Sequence, residues 1–189
     1  EGQKQVFQVD IAQFYPSCTR HQAYLCFLKR FRCSSDIAGI IANLLTYQDH
    51  IPTGSPAGSL LAFFVQKDMF DALSRLAHQN GLRMSVLQDD VTFSGGKIDE
   101  NFRAKVRNTI KRYGLSPKRS KQRFSHGGMK PEITGVVVTA DGPRAPWARH
   151  QALRNAIDAF EAAEGEKEIR ATYQRAMGKL TEIEQVQGK

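Results

Sequence analysis

Nowhere in the sequence do apolar residues run together for anything near the roughly 18 to 20 positions that a membrane-spanning helix needs. No charged and apolar leader of the secretory kind opens it either. The chain therefore reads as soluble and cytoplasmic. Cysteine is scarce: Cys18, Cys26 and Cys33 are odd in number and have neither the paired spacing of a zinc site nor that of a redox couple. They read as reduced, partly buried thiols, which excludes a disulfide-stapled secreted domain. Internal repeats and low-complexity tracts are also missing, so a solenoid or a disordered linker is excluded. Between Phe102 and Pro131 there is no acidic residue at all, while Arg107, Lys111, Arg112, Lys118, Arg119, Lys121 and Arg123 are basic.

What remains is a chain of 189 residues with a formal charge of +8. That length suits one good core, or one compact domain with a helical appendage. The charge points to a polyanionic partner, nucleic acid being the commonest, although a solvated basic surface would look the same. The sequence opens on Glu1 rather than Met, and the apolar residues Val6, Phe7, Val9 and Ile11 follow almost at once. This reads as a piece of a longer protein whose N-terminal part is missing here.

A period of two puts Phe7, Val9 and Ile11 on one face of a strand and Val6, Gln8 and Asp10 on the other. Helices are expected over His21 to Phe31 and over Ser35 to Gln48, the second carrying Ile37, Ile40, Ile41, Leu44 and Leu45 behind Ser35 as its cap. The segment from Ile51 to Gly58 is too rich in Pro and Gly for anything but an irregular loop. It feeds a long helix with a stripe of Leu61, Phe64, Val65, Met69, Leu73 and Leu76. Leu82 to Leu87 and Val91 to Phe93 read as two short strands joined at Asp89-Asp90, which places both carboxylates at a hairpin tip. Phe102, Val106 and Ile110 mark a further helix closed by Gly114. Ile133 to Thr139 reads as one strand ending at an Asp141-Gly142 turn. From Ala148 the pattern is helical: Leu153, Ile157 and Phe160 in one helix, then Ile169, Tyr173, Met177, Leu180 and Ile183 in another. Strands and helices in this order make an α+β fold.

Asp10 and the pair Asp89-Asp90 thus fall at the ends of neighbouring strands. Two divalent cations about 4 Å apart need carboxylates arriving from at least two chain segments, and a strand-end Asp beside a hairpin Asp-Asp supplies them. The competing reading is an ordinary turn, since Asp is common in turns. Against it, apolar strands lead straight into both positions, a costly place for charge without a compensating cation.

Here the residues form a familiar set. Phe7-Gln-Val-Asp-Ile-Ala-Gln-Phe-Tyr-Pro-Ser17 resembles motif A of reverse transcriptases of the retron and phage-defence type. Ile51-Pro-Thr-Gly-Ser-Pro-Ala-Gly-Ser59 resembles motif B, Leu87-Gln-Asp-Asp-Val-Thr-Phe-Ser94 motif C, and Gly114 to Lys121 motif D. Ile133-Thr-Gly-Val136 is similar to the Val-Thr-Gly signature of that group, and Tyr173 to Ile183 to a thumb helix. The ordered set spans nearly the whole chain.

The resemblance implies a right-hand polymerase palm, an antiparallel sheet backed by helices, followed by a helical thumb segment. Residues 1–147 would be the palm and 148–189 the start of the thumb, with the fingers absent from this chain. It implies Asp10, Asp89 and Asp90 as catalytic and metal-binding residues, with Asp10 and Asp89 the more direct ligands of two Mg²⁺ ions and Mn²⁺ a substitute. Lys121 matches the motif D lysine that meets the leaving pyrophosphate. Ile11, Tyr15, Gly54, Ser55, Pro56 and Gln88 would line the nucleotide site, Tyr15 as a steric gate favouring dNTPs. Arg119, Arg123, Thr134, Gly135 and Trp147 would meet nucleic acid. Several have a plainer alternative: Tyr15 as a core aromatic, Gly54 to Pro56 as a helix-entry turn, the basic run as a solvated face, Trp147 as packing between palm and thumb.

Two residues depart from the family: Leu87 stands where Tyr is usual and Thr53 where Gln is usual. Neither change removes a metal ligand, but both bear on primer handling and nucleotide choice. The implied function is RNA-directed DNA synthesis in a bacterial retron or anti-phage system, with an RNA template, a DNA primer or product, dNTPs and a dedicated structured RNA as partners, and no membrane. Untemplated or protein-primed DNA synthesis, or a catalytically silent RNA-binding scaffold, are the alternatives.

Overall fold

The computed structural model describes residues 5–126, 130–139 and 141–188 of the chain. They fall into two compact units, residues 5–126 in one and the later residues in the other.

The first unit begins with β1 (Gln5–Ala12), buried almost continuously from Val6 to Val9. A turn leads to α1 (Arg20–Leu25), entered through a reciprocal cap in which Thr19 and Gln22 bond each other's backbone N–H. One π-helical stretch, Cys26–Arg30, continues it, so the single helix expected over His21 to Phe31 is two helical forms in sequence. Next comes α2 (Ser35–Leu45), whose N-cap is Ser34 rather than Ser35, without a capping side chain. Its apolar stripe turns outward: Ala38 and Ala42 are buried, while Ile37, Ile40 and Leu44 are exposed. Small residues let this helix approach its neighbours closely, and the longer isoleucines are left on the far side.

The long helix expected after the Pro- and Gly-rich loop is broken into α3 (Gly58–Val65) and α4 (Lys67–Gln79). The break is Gln66, buried, with its side-chain amide 3.7 Å from the Cys18 sulfur. Burial pushes that thiol up to about 11, so it is inert at neutral pH. Then follow β2 (Arg83–Leu87), β3 (Asp90–Gly95) and α5 (Glu100–Arg112), the helix capped by Asp99, whose carboxylate accepts from the Phe102 N–H at 2.8 Å. Short strands β4 (Ser116–Pro117) and β5 (Arg123–Ser125) flank a 3₁₀ turn at Arg119–Lys121.

The sheet runs β2-β3-β1-β4, and β5 also pairs with β1. In this antiparallel register Phe7 faces Phe93, Val9 faces Val91 and Asp10 faces Asp90. Phe7 and Phe93 stack at 6.2 Å, and the helices bring Met69, Phe70, Leu73, Phe102, Val106 and Ile110 onto the sheet to close the core. Burying these apolar groups is the main favourable term in holding the sheet.

The second unit has a three-stranded sheet, β6 (Glu132–Ile133), β7 (Val136–Thr139) and β8 (Gly142–Arg144), and two helices, α6 (Trp147–Glu161) and α7 (Glu166–Gln187). The single strand expected over Ile133 to Thr139 is thus a hairpin. Thr134 and Gly135, with φ of 50° and 76°, make the tight turn, a left-handed pair suited to strand twist. In α7 only Ile183 of the expected stripe is buried, and Phe160 and Tyr173 bring α6 and α7 together with ring centroids 5.9 Å apart. Among the described residues no helix is long and apolar enough to cross a membrane.

Candidate active site

The antiparallel ladder itself carries the carboxylates together. Asp10 is the sixth residue of β1 and pairs in register with Asp90, the first residue of β3. One step on, the Ile11 N–H donates to the Asp89 carbonyl at 2.9 Å, so the hairpin tip is tied to β1 by its main chain. Gln88 and Asp89 form the two-residue loop between paired Leu87 and Asp90. Gln88 sits at φ 57°, a conformation that glycine takes freely and that a side chain occupies at a cost, and such strain gathers at functional sites.

On the other side of β1, the Lys118 N–H donates to the Asp10 carbonyl at 2.8 Å. The 3₁₀ turn that follows aims Lys121 back, and its ammonium donates to Asp10 Oδ2 at 2.9 Å. Asp10 is the enclosed partner, its side chain 14% exposed against 57% for Lys121. The hydrogen bond and charge of Asp10 hold the Lys121 ammonium above its ordinary pKa, keeping it protonated at neutral pH. Asp90 is also raised, first by burial, then by the like charges of Asp10 and Asp89, with Lys121 and Arg123 opposing.

That raised carboxyl tests whether divalent cations suit the site. Burial and the like charges of Asp10 and Asp89 make Asp90 costly to ionise, and Lys121 and Arg123 oppose them. Hard oxygen donors in this number are what Mg²⁺ accepts when water and substrate phosphate complete its shell. The donor types suit such an ion, although among the described residues no group of three or more His, Cys, Asp or Glu side chains is placed to hold one.

Tyr15 lies in the turn after β1. Its ring packs edge-on against Phe14, centroids 5.6 Å apart, and its hydroxyl donates to Ser59 Oγ at 3.3 Å. Ser59 is the second residue of α3 and follows the loop of Gly54, Ser55 and Pro56. Gly54 has φ 86°, which requires glycine. At Gly58 a side chain would come within 3.2 Å of the Pro52 carbonyl, so the loop rests directly on the start of the helix.

The structure therefore brings Asp10, Ile11, Gln88, Asp89, Asp90, Lys121 and Arg123 to one end of the sheet, and links Tyr15 to the start of the helix behind the Gly54 loop. Arg119 lies in the 3₁₀ turn, its side chain outside the described residues. Thr134, Gly135 and Trp147 belong to the second unit, where Gly135 lies against Arg149 and Trp147, 74% exposed, opens α6. Ser59 was not singled out from the sequence. Only its place within the motif B segment marked it, and a serine at a helix start usually signals a cap.

No family model matches the chain. It is 26% identical over 196 aligned positions to the Retron Se72 reverse transcriptase of Salmonella heidelberg (strain 579083-10), an alignment that takes in 94% of this chain and 50% of the relative. The chain thus spans about half the length of that curated relative. Among solved structures, apo telomerase from Candida tropicalis, truncated of its C-terminal domain, superposes with a TM-score of 0.55 at 11% identity, over 71% of this chain and 34% of that one. The telomerase likeness concerns the fold, and the retron likeness runs along the sequence. In its motifs and along nearly all its length the chain resembles the bacterial reverse transcriptases of the retron type, and its fold is the α+β polymerase palm with a helical segment after it.

Proposed function

We propose that these residues are the catalytic part of an RNA-directed DNA polymerase working by a two-metal mechanism, in a bacterial retron or anti-phage system. The observation that carries the reading is the cross-strand pairing of Asp10 with Asp90, with Asp89 tied beside them at the hairpin tip. In this reading residues 1–147 are the palm and 148–189 begin the thumb.

Asp10 and Asp89, with Asp90 beside them, would hold two Mg²⁺ ions, or Mn²⁺ in their place, which when bound activate a primer 3′-hydroxyl and neutralise the departing pyrophosphate. Gly54 to Pro56 let main chain approach the incoming nucleotide. Tyr15 closes the space a ribose 2′-hydroxyl would need. Lys121, protonated and beside Asp10, gives its proton or its charge to a pyrophosphate oxygen. Arg123 and Arg119 meet backbone phosphate, and Thr134, Gly135 and Trp147 guide the primer. RNA template, DNA primer and dNTPs are the partners, with a structured RNA as a further one.

The test uses the full-length protein: extension of a DNA primer on an RNA template in Mg²⁺, lost in Asp89→Asn. Wild-type protein that extends no primer on RNA ends the reading. Products that do not copy the template would instead favour untemplated synthesis, the alternative to which Leu87 at the primer end lends support.

A further inference from the structure

The Tyr15 hydroxyl has a partner that no motif assigns. It donates to Ser59 Oγ at 3.3 Å, across 44 positions of sequence, in a half-buried setting. We infer that Ser59 is a positioning residue for sugar selection, holding the hydroxyl end of Tyr15 against the first turn of α3. The inference rests on the proposed polymerase reading and on Tyr15 as its gate.

The argument is geometric. Tyr15 projects from a tight turn that begins at Gln13, φ 49°, and closes with the Ser17 N–H on the Gln13 carbonyl at 2.9 Å. The ring packs edge-on against Phe14, which is itself in the core against Phe70. The hydroxyl end is tied to Ser59, and on the proposed reading it is the end a 2′-hydroxyl would strike. A half-buried phenol hydroxyl needs a partner, and one bond there limits the rocking that packing alone permits. At 3.3 Å the bond is long for two oxygens, so it steers the ring without locking it.

Ser59 is in turn held by the nucleotide loop. Gly58, the residue before it, is buried, and an added Cβ there would come within 3.2 Å of the Pro52 carbonyl and of Ser55 Cβ. The Gly58 N–H also donates to the Ser55 carbonyl at 3.0 Å, so the start of α3 and the loop after Gly54 are tied to each other. The gate and the loop are therefore one mechanical piece, joined at a single hydroxyl. Selection against ribose depends on Ser59 even though Ser59 need not touch the nucleotide.

The experiment measures, on full-length protein, the ratio of rNTP to dNTP incorporation for wild type, Ser59→Ala, Ser59→Thr, Tyr15→Phe and the Ser59→Ala, Tyr15→Phe double variant. Ser59→Ala is expected to raise the ratio about fivefold, the size of one neutral hydrogen bond, mainly through a lower KM for rNTP. Tyr15→Phe should do the same and the double variant no more, because both remove one bond. Ser59→Thr, which keeps the hydroxyl, should restore the wild-type ratio. In parallel, protein labelled with 3-fluorotyrosine reports the Tyr15 fluorine signal, identified by its loss in Tyr15→Phe, and this signal should move and broaden in Ser59→Ala.

An unmoved fluorine signal, or an unchanged ratio in Ser59→Ala while Tyr15→Ala raises it, overturns the inference and leaves the polymerase reading standing. A wild-type protein without primer extension overturns the polymerase reading and the role in sugar choice with it. The fluorine signal tells the two failures apart.

Discussion

Strand β1 and helix α2 have much the same appetite for burial and meet opposite fates. In β1, Val6, Phe7, Val9 and Ile11 are all buried, and Val9 has no exposed surface. In α2, Ile37, Ile40 and Leu44 recur just as regularly, yet Leu44 is 78% exposed and the buried positions are alanines. A strand at the centre of a sheet has neighbours on both edges and helices packed on it, so its pattern has one outcome. Helix periodicity shows that a face exists, while closeness of approach decides which face goes inside. In α2 the small residues win because they let the helix sit closer.

The contrast can be broken at its functional end first. Asp10→Asn should lower primer extension by the full-length protein by roughly a thousandfold, the scale of losing a pre-organised charge partner of the reacting groups. Circular dichroism should stay unchanged, since the β1 ladder does not depend on that charge. A variant with near-normal extension would separate this end of β1 from the chemistry.

Next in size is the core. Phe93→Ala, opposite Phe7, should cost about 3–5 kcal/mol in urea unfolding. Leu44→Ala on the exposed face of α2 should cost no more than about 0.5 kcal/mol. A large cost at Leu44 would mean that something covers that face in solution and would erase the difference between the two elements.

A smaller effect follows from Asp90. Its folded pKa is raised above the ordinary 3.8, so the folded state holds that proton more tightly than the unfolded one. The group's favourable contribution is complete below 3.8 and is lost as pH rises through the raised folded value, leaving an ionised, crowded carboxylate at neutral pH. Asp90→Asn should therefore melt slightly higher than wild type at pH 7, with the gap closing as pH falls toward 3.8. Melting curves across that range decide it, and a lower Tm for the variant at pH 7 contradicts the sign.

Much of the site geometry was legible because it rests on short-range rules. Alternating apolar residues running into Asp10, and a hairpin tip at Asp89-Asp90, were enough to expect their meeting at neighbouring strand ends. Elements decided by tertiary contact were not. Gln66 interrupts what reads as one helix, because a good helix former gives no sign of stopping and its side chain turns inward to Cys18. Thr134-Gly135 bends what reads as a strand, since β-branched Thr argues locally for extension and only the φ values expose the turn. The Tyr15 to Ser59 bond joins segments 44 positions apart and leaves no periodic trace.

The bond from the Ile11 amide to the Asp89 carbonyl has a consequence for how such a chain can vary. Carboxylate spacing at the hairpin tip is set by peptide groups, which every amino acid carries alike. On the proposed reading, the Leu87 side chain can change toward the nucleic-acid end it would meet while the main-chain tie at the hairpin tip stays in place. If the proposed reaction holds, tinkering with specificity and preserving the chemistry are, at this corner of the sheet, separate matters.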